Sequence, residues 1–338
     1  MVALEELPER DKDEMVPVFQ LKPWLSATTL DKAFDRIEKS FAKRPAFLLA
    51  PEQVLNPGGR PALAEANALL NPVNGFDAWC NLFDTGRAAH LTPGLQLTDA
   101  AEFDQQAARL VALGRGAMVS LSRPAFPFIS AIARRTAHHT GGGLDTTFLL
   151  DLRRQTRTLL LQEAELARVI ESILNICPHA KVSITASSFP EAFTSCENQE
   201  IYERSLFQAL RWRFPNSLVY SDRGSARAER QTGGGGRPFP RVDYPEFRNW
   251  LFFRAEEWRP FKGGYVDLAN QLTESSVWDP DIRVWGTQMI EKTKMGEETG
   301  ISSPARSTAV RINLHLHRQL WFDEPRKIYE TDDDWQDI

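Results

Sequence analysis

Charged and polar residues recur at the ends of apolar runs in this chain. Lys22 follows VPVFQL, and Arg123 follows AMVSLS. Asp151 and Arg153 close TTFLLDLR, and Ser187 and Ser188 close AKVSITASS. Asp222 and Arg223 end SLVYSDR, Arg254 ends NWLFFR, and Gly263, Gly264 and Tyr265 open the helical stretch that follows. In an α/β barrel, the carboxyl ends of the strands and their loops carry function. Several cations at one mouth suit a phosphate or another anion. The N–H groups at the start of the Tyr265 helix would add to such a site. Asp151 or Asp222 could then serve as a base or hold a divalent metal. The plainer alternative is a set of polar caps that pair with one another.

His315 and His317 are a second chemical signal. If TAVRINLHLHRQLWF is extended, residues two apart share a face, and both imidazoles could meet one metal. Two half-buried histidines on a terminal strand are the plainer reading, and no metal site is assigned. Trp250, Trp258, Trp278 and Trp285 crowd one region with Phe247, Phe252, Phe253 and Phe261. They could stack on a base, or form the core of a closing seam. The glycine runs Gly141–Gly143 and Gly233–Gly236 lack the following Lys-Ser or Lys-Thr of a phosphate loop, and read as linkers. No GxSxG, HExxH, paired CxxC or EF-hand pattern occurs in the sequence.

These residues need elements to position them. Leu30, Phe34, Ile37 and Phe41 fall on one helical face. AFLLAPE, HLTPGLQLT, AMVSLSR, TTFLLDLR, AKVSITASS, SLVYSDR and NWLFFR read as strands, with amphipathic helices between them. Counted with VPVFQL, strand and helix alternate about eight times, which predicts a parallel sheet covered by helices. The expected fold is a (β/α)8 TIM-like barrel with a C-terminal extension. An open parallel α/β sheet is the alternative. The expected division is a loose N-terminus over 1–14, the barrel over 15–278 with NWLFFR as its last strand, and an extension over 279–338 packed on it and ending in an acidic tail. Residues 223–240 read as a flexible loop.

The chain has 338 residues, 42% of them hydrophobic, enough for a sizeable core. A net charge of −5 gives no global basic field, so charge does not indicate a nucleic-acid partner. Cys80, Cys177 and Cys196 are odd in number and lack paired spacing, which points to reduced thiols in a cytoplasmic compartment. The charged start MVALEELPERDKDEM does not read as a signal peptide, and no apolar run approaches bilayer length, so no membrane partner is expected.

Three segments carry a family likeness. Met15-Val16-Pro17-Val18 through Lys22 resembles a Y-x-P-x-L-x-x-K opening. FRNWLFFRAEEWRPFKGGYVDLANQL is similar to a late W-L-F…G-G-Y-x-D-L-A region. Trp285-Gly286, Gly296, Gly300 and Asn313-Leu314-His315 resemble a C-terminal W-G…G…N-H-H pattern. Together they resemble the beta protein family of prophages, phage satellites and anti-phage loci. Two departures stand out: Pro23-Trp24-Leu25 replaces the family's Gly-Glu, and the paired histidines are split into His315 and His317. Lys22, Gly263, Gly264, Tyr265, Asp267 and His315 match residue by residue.

The resemblance implies a barrel-like protein that restrains or assists a toxic partner. Two functions are therefore expected. One is a component of an anti-phage or toxin–antitoxin-like system that binds the product of a neighbouring gene, with its Gly-rich loops and acidic tail as contacts. The other is a barrel enzyme or sensor for a phosphorylated or nucleotide ligand, with a divalent metal or phosphate-containing ligand as its cofactor. Whether the protein is an enzyme is left open by these residues.

Overall fold

The computed structural model describes residues 1–24, 27–53, 56, 58–84, 86–191, 196–228, 239–255 and 261–331. Trp258, the Gly233–Gly236 run and the acidic tail beyond 331 lie outside the described residues. The strands are β1 (Val18–Gln20), β2 (Phe47–Leu49), β3 (Thr92–Leu95), β4 (Ala117–Ser122), β5 (Thr146–Arg154), β6 (Lys181–Ser187), β7 (Asn198–Glu200), β8 (Leu218–Tyr220), β9 (Arg241–Pro245) and β10 (Asn249–Arg254). The helices are α1 (Val2–Glu5), α2 (Glu9–Asp13), α3 (Asp31–Phe41), α4 (Pro61–Ala68), α5 (Val73–Asp84), α6 (Phe103–Val111), α7 (Ile129–Thr140), α8 (Glu163–Leu174), α9 (Tyr202–Leu210), α10 (Phe261–Thr273), α11 (Trp285–Lys294) and α12 (Pro304–Leu320).

The chain divides into two compact units. The first combines residues 1–15, 187–205 and 222–338, and the second combines 16–186 and 206–221. The second unit holds a seven-stranded parallel sheet in the order β1-β2-β3-β4-β5-β6-β8. Phe148, Leu150, Leu152, Val182 and Ile184 are buried in its strands. Helical side chains at three- and four-residue spacing are buried too: Phe34, Ile37 and Phe41 on α3, and Leu166, Ile170 and Ile173 on α8.

The sheet is open, which corrects the expected closed barrel. NWLFFR does not close it. As β10, it is the centre of a separate antiparallel sheet, β7-β10-β9, in the first unit. An apolar run records burial but not its partner. β10 follows β9 after only Glu246, Phe247 and Arg248, a connection that permits antiparallel and not parallel pairing.

The first unit buries Val242, Tyr244, Leu268, Leu272, Ile290, Val310 and Leu314 in one core, against which Trp278 and Trp285 pack. Trp250, Phe189, Phe252 and Ile201 form a smaller one. The described tryptophans of the aromatic cluster therefore serve packing. The run containing His315 and His317 is a helix, α12, not a strand. The Ser303 hydroxyl caps it by accepting from Arg306 N, and Pro304 takes its first turn. Alternating Val310, Ile312, Leu314 and Leu316 imitate a strand, because the residues between them are polar yet buried. On a helix, residues two apart point to different faces, so His315 and His317 do not share a metal.

His317 instead joins the N-terminal segment. Its Nδ1 lies 2.6 Å from Asp11 Oδ2, and its Nε2 lies 3.0 Å from the Ile328 carbonyl. The Ile328 carbonyl can only accept, so Nε2 donates to it. Asp11 also accepts from Trp321 Nε1 at 2.9 Å.

Two glycines in the second unit separate backbone strain from crowding. Gly114 has φ +68 with no atom within 4 Å of an added Cβ. Gly116 has φ +75, and a Cβ there would lie 2.2 Å from the Asp145 carbonyl oxygen. Gly114→Ala is expected to cost about 1 kcal/mol and Gly116→Ala at least about 3 kcal/mol, as urea denaturation would measure. Equal costs would contradict the close approach of strands β4 and β5 at that point.

Candidate functional site

The strand-end residues named from sequence fall into both units. Lys22, Arg123, Asp151 and Arg153 belong to the second. Lys22 is exposed. Arg153 Nε lies 3.2 Å from Asp151 Oδ2, and its Nη1 lies 2.8 Å from Glu52 Oε1. The backbone N–H of Arg153 donates to Asp151 Oδ1 at 3.0 Å. Arg153 has φ +59, a left-handed conformation that costs a non-glycine residue about 1–3 kcal/mol. Arg123 donates to Gln162 and lies 3.4 Å from Glu165. These groups pair with their neighbours. Beside them, two large apolar side chains face solvent: Phe128, 65% exposed, in the turn after β4, and Leu161, 85% exposed, in the turn after β5.

Asp222, Arg223, Arg254, Gly263, Gly264, Tyr265 and His315 belong to the first unit. Of these, Asp222 and His315 meet directly. His315 is fully buried on α12, and its Nε2 lies 2.7 Å from Asp222 Oδ2. Its Nδ1 lies 3.2 Å from the indole nitrogen of Trp250 on β10. An indole N–H only donates, so Nδ1 accepts and the proton on Nε2 goes to Asp222. Both imidazole positions are thereby occupied. His315 orients Asp222 and offers no lone pair to a metal or a substrate proton. The other Asp222 oxygen accepts from Gly224 N at 2.6 Å, fixing the turn after β8.

A second carboxyl faces this pair. Glu203, in the first turn of α9, is buried. It accepts from the Ser188 hydroxyl and from Ser188 N at 3.3 Å. The same hydroxyl accepts from Tyr202 N at 3.1 Å. Burial pushes Glu203 up to about 7, and the Asp222 charge adds to the rise while Ser188 opposes it. Among the described residues, no group of three or more His, Cys, Asp or Glu is placed to hold a metal ion. Burial also pushes the Cys80 and Cys177 thiols up to about 11, which keeps them poor nucleophiles.

A third group was missed from sequence. Asp243 on β9 is fully buried and ion-paired to Arg311 Nη1 at 2.7 Å and to Arg241 Nε at 2.5 Å. Arg311 Nε donates to Ser225 Oγ at 3.2 Å, and its guanidinium carbon lies 4.0 Å from the centre of the Phe189 ring. Burial lowers the Arg311 pKa, against the favourable Asp243 charge. Ser225 has φ +58, again left-handed. Tyr265 on α10 senses both Arg241 and Asp243, although burial dominates and pushes its hydroxyl up to about 12. The alternation Arg241-Val242-Asp243-Tyr244 was a strand signal in the sequence, hidden behind the long polar stretch before it. Gly263 and Gly264 lie within the first turn of α10, where Gly263 is exposed and Gly264 buried.

The family model described as Beta protein matches residues 1–321. Protein beta of Enterobacteria phage P4 is 24% identical over 347 residues, a match covering 100% of this chain and 94% of that protein. No solved structure matches significantly. No helix among the described residues is long and apolar enough to cross a membrane.

Glu203 gives a pH signature. Glu203 has a folded value of about 7 against an ordinary 4.5, so the folded state binds the extra proton. That contribution is present below 4.5 and is lost as pH rises through about 7. Its full size is on the order of 3 kcal/mol. Glu203→Gln is expected to flatten the fall in unfolding free energy across this window, measured by denaturant titration at several pH values. An unchanged slope would show that another group carries it.

Proposed function

The chain belongs to the beta protein family, and on that footing we propose that it works by binding a protein partner, as a component of a prophage or anti-phage locus. The partner is the product of a neighbouring gene. The observation that carries this reading is the exposure of Phe128 and Leu161 in turns that follow adjacent strands of the parallel sheet. The turns are tied together by the hydrogen bond from Arg123 to Gln162. Large apolar side chains held on a braced surface suit a protein contact. The locked His315–Asp222 pair supports the same direction, since it holds the fold and leaves no imidazole nitrogen to act as a base.

Co-expression with each flanking gene product, followed by affinity retention and light scattering, tests the reading. One flanking product is expected to co-elute at fixed stoichiometry. A Phe128→Asp, Leu161→Asp double variant is expected to lose at least about tenfold in affinity. Because both side chains are exposed, its stability should stay within roughly 0.5 kcal/mol of the parent per site. A chain that elutes alone in the presence of every flanking product, or a double variant that binds as tightly as the parent, would overturn it.

A further inference from the structure

Strand β1 is the last strand at one side of the parallel sheet and pairs with β2 alone. Its ladder fixes which peptide groups face β2. Phe47 N donates to the Pro17 carbonyl at 2.9 Å, and Leu21 N donates to the Leu49 carbonyl at 3.0 Å. Peptide groups alternate sides along a strand, so those of Val18 and Gln20 point outward. Among the described residues, no backbone hydrogen bond reaches either of them. Pro17 does not guard this edge, because its missing N–H lies on the inner side with its carbonyl. Natural edges are blunted by a charge, a proline or a bulge, and none stands within Val18–Gln20. Val16 and Val18 are 54% and 36% exposed. Charges bracket the run symmetrically. Glu14 stands four residues before Val18 and Lys22 four residues after it, with no charge between them, and both are exposed. Among the described residues, neither has an ion-pair partner.

We infer that β1 pairs with β1 of a second copy of this chain, antiparallel about a two-fold axis at Val18. A two-fold contact sets the same patch against itself. Val18 then stands opposite Val18 of the second copy, and Val16 stands opposite its Gln20. Outward peptide groups directly opposed in this way exchange both N–H···O bonds. Glu14 comes beside Lys22 of the second copy, and the symmetry makes that pairing twice. Glu14 ends α2 and is not itself extended, with φ −96 and ψ 3. The flexible stem of Lys22 spans the offset. The charges commit the edge to this occupant. A parallel alignment sets glutamate beside glutamate, and a register shifted by two residues sets Val16 against Lys22 and loses both charge pairs. A contact built on one short strand falls among weak interfaces, so the dimer forms only as concentration rises. In the sheet, β2 and β3 separate β1 from β4, so the contact does not use the turns that carry Phe128 and Leu161.

Sedimentation equilibrium of the full chain, over a concentration series at low ionic strength, tests the edge. A monomer–dimer equilibrium is expected. Val18→Lys sets two lysines together on the axis and should weaken dimerisation at least about tenfold. Lys22→Glu and Glu14→Lys each turn two attractions into repulsions and should each weaken it about fivefold. The combined Glu14→Lys, Lys22→Glu variant exchanges the charges and should restore the parent's dimerisation constant to within about twofold. If circular dichroism shows that Val18→Lys is unfolded, the charge exchange decides, since Glu14 and Lys22 are exposed. A chain that stays monomeric at every concentration, a folded Val18→Lys variant that dimerises like the parent, or a charge exchange that fails to restore association, would overturn the inference.

Discussion

Helix α12 carries buried polar side chains on more than one of its faces, and the first unit is assembled by satisfying them. Arg311 meets Asp243 on β9, and Asn313 Nδ2 donates to the carbonyls of Ala3 and Glu6. His315 meets Asp222 and Trp250, and His317 meets Asp11. Arg318 donates to the Tyr244 hydroxyl at 2.5 Å, and Gln319 accepts from Arg204 and donates to the Phe247 carbonyl. Each buried group costs free energy unless it is paired. Together the pairings draw in four segments: the N-terminus, the stretch after β6, the turn after β8, and the hairpin of β9 and β10. Segments up to 310 residues apart in sequence are joined in this way.

This helix also explains why the candidate site is stiff. Asp222 is gripped from both sides, by His315 and by the Gly224 backbone. Asp243 is gripped by two arginines. Groups fixed so firmly do little chemistry themselves, but they hold their neighbours within narrow geometry. Glu203 is the exception among them, because its proton is shared with the solvent pH range in which it titrates. Among the described residues of the second unit, the ion pairs are more exposed, and its core adds buried polar contacts such as Gln96 with Gln106 to apolar packing.

Much of the parallel sheet was legible. TTFLLDLR and AKVSITASS are continuous apolar runs flanked by helical periodicity, and both are buried strands next to each other. The family likeness read from Lys22, Gly263, Gly264, Tyr265 and His315 was legible too, and the match over residues 1–321 bears it out. The Asp222–His315 contact was half legible, since both residues stood out by type, but a separation of 93 positions hides a partner. The ion pairs of Asp243 with Arg241 and Arg311 were not legible, because charges in a polar stretch look like solvent-facing ones even where the alternation around them marks a strand.

By itself, the sequence determined which runs could be strands and helices, since side-chain periodicity is a local property of the backbone. It also determined the family. The tertiary structure decided which strands pair, whether the sheet closes, and that α12 is a helix where alternating Val310, Ile312, Leu314 and Leu316 read as extended. The physical reason is the same in each case. Pairing and burial are settled by contacts between segments far apart in the chain, and a buried arginine or histidine becomes acceptable only once its distant carboxylate has arrived.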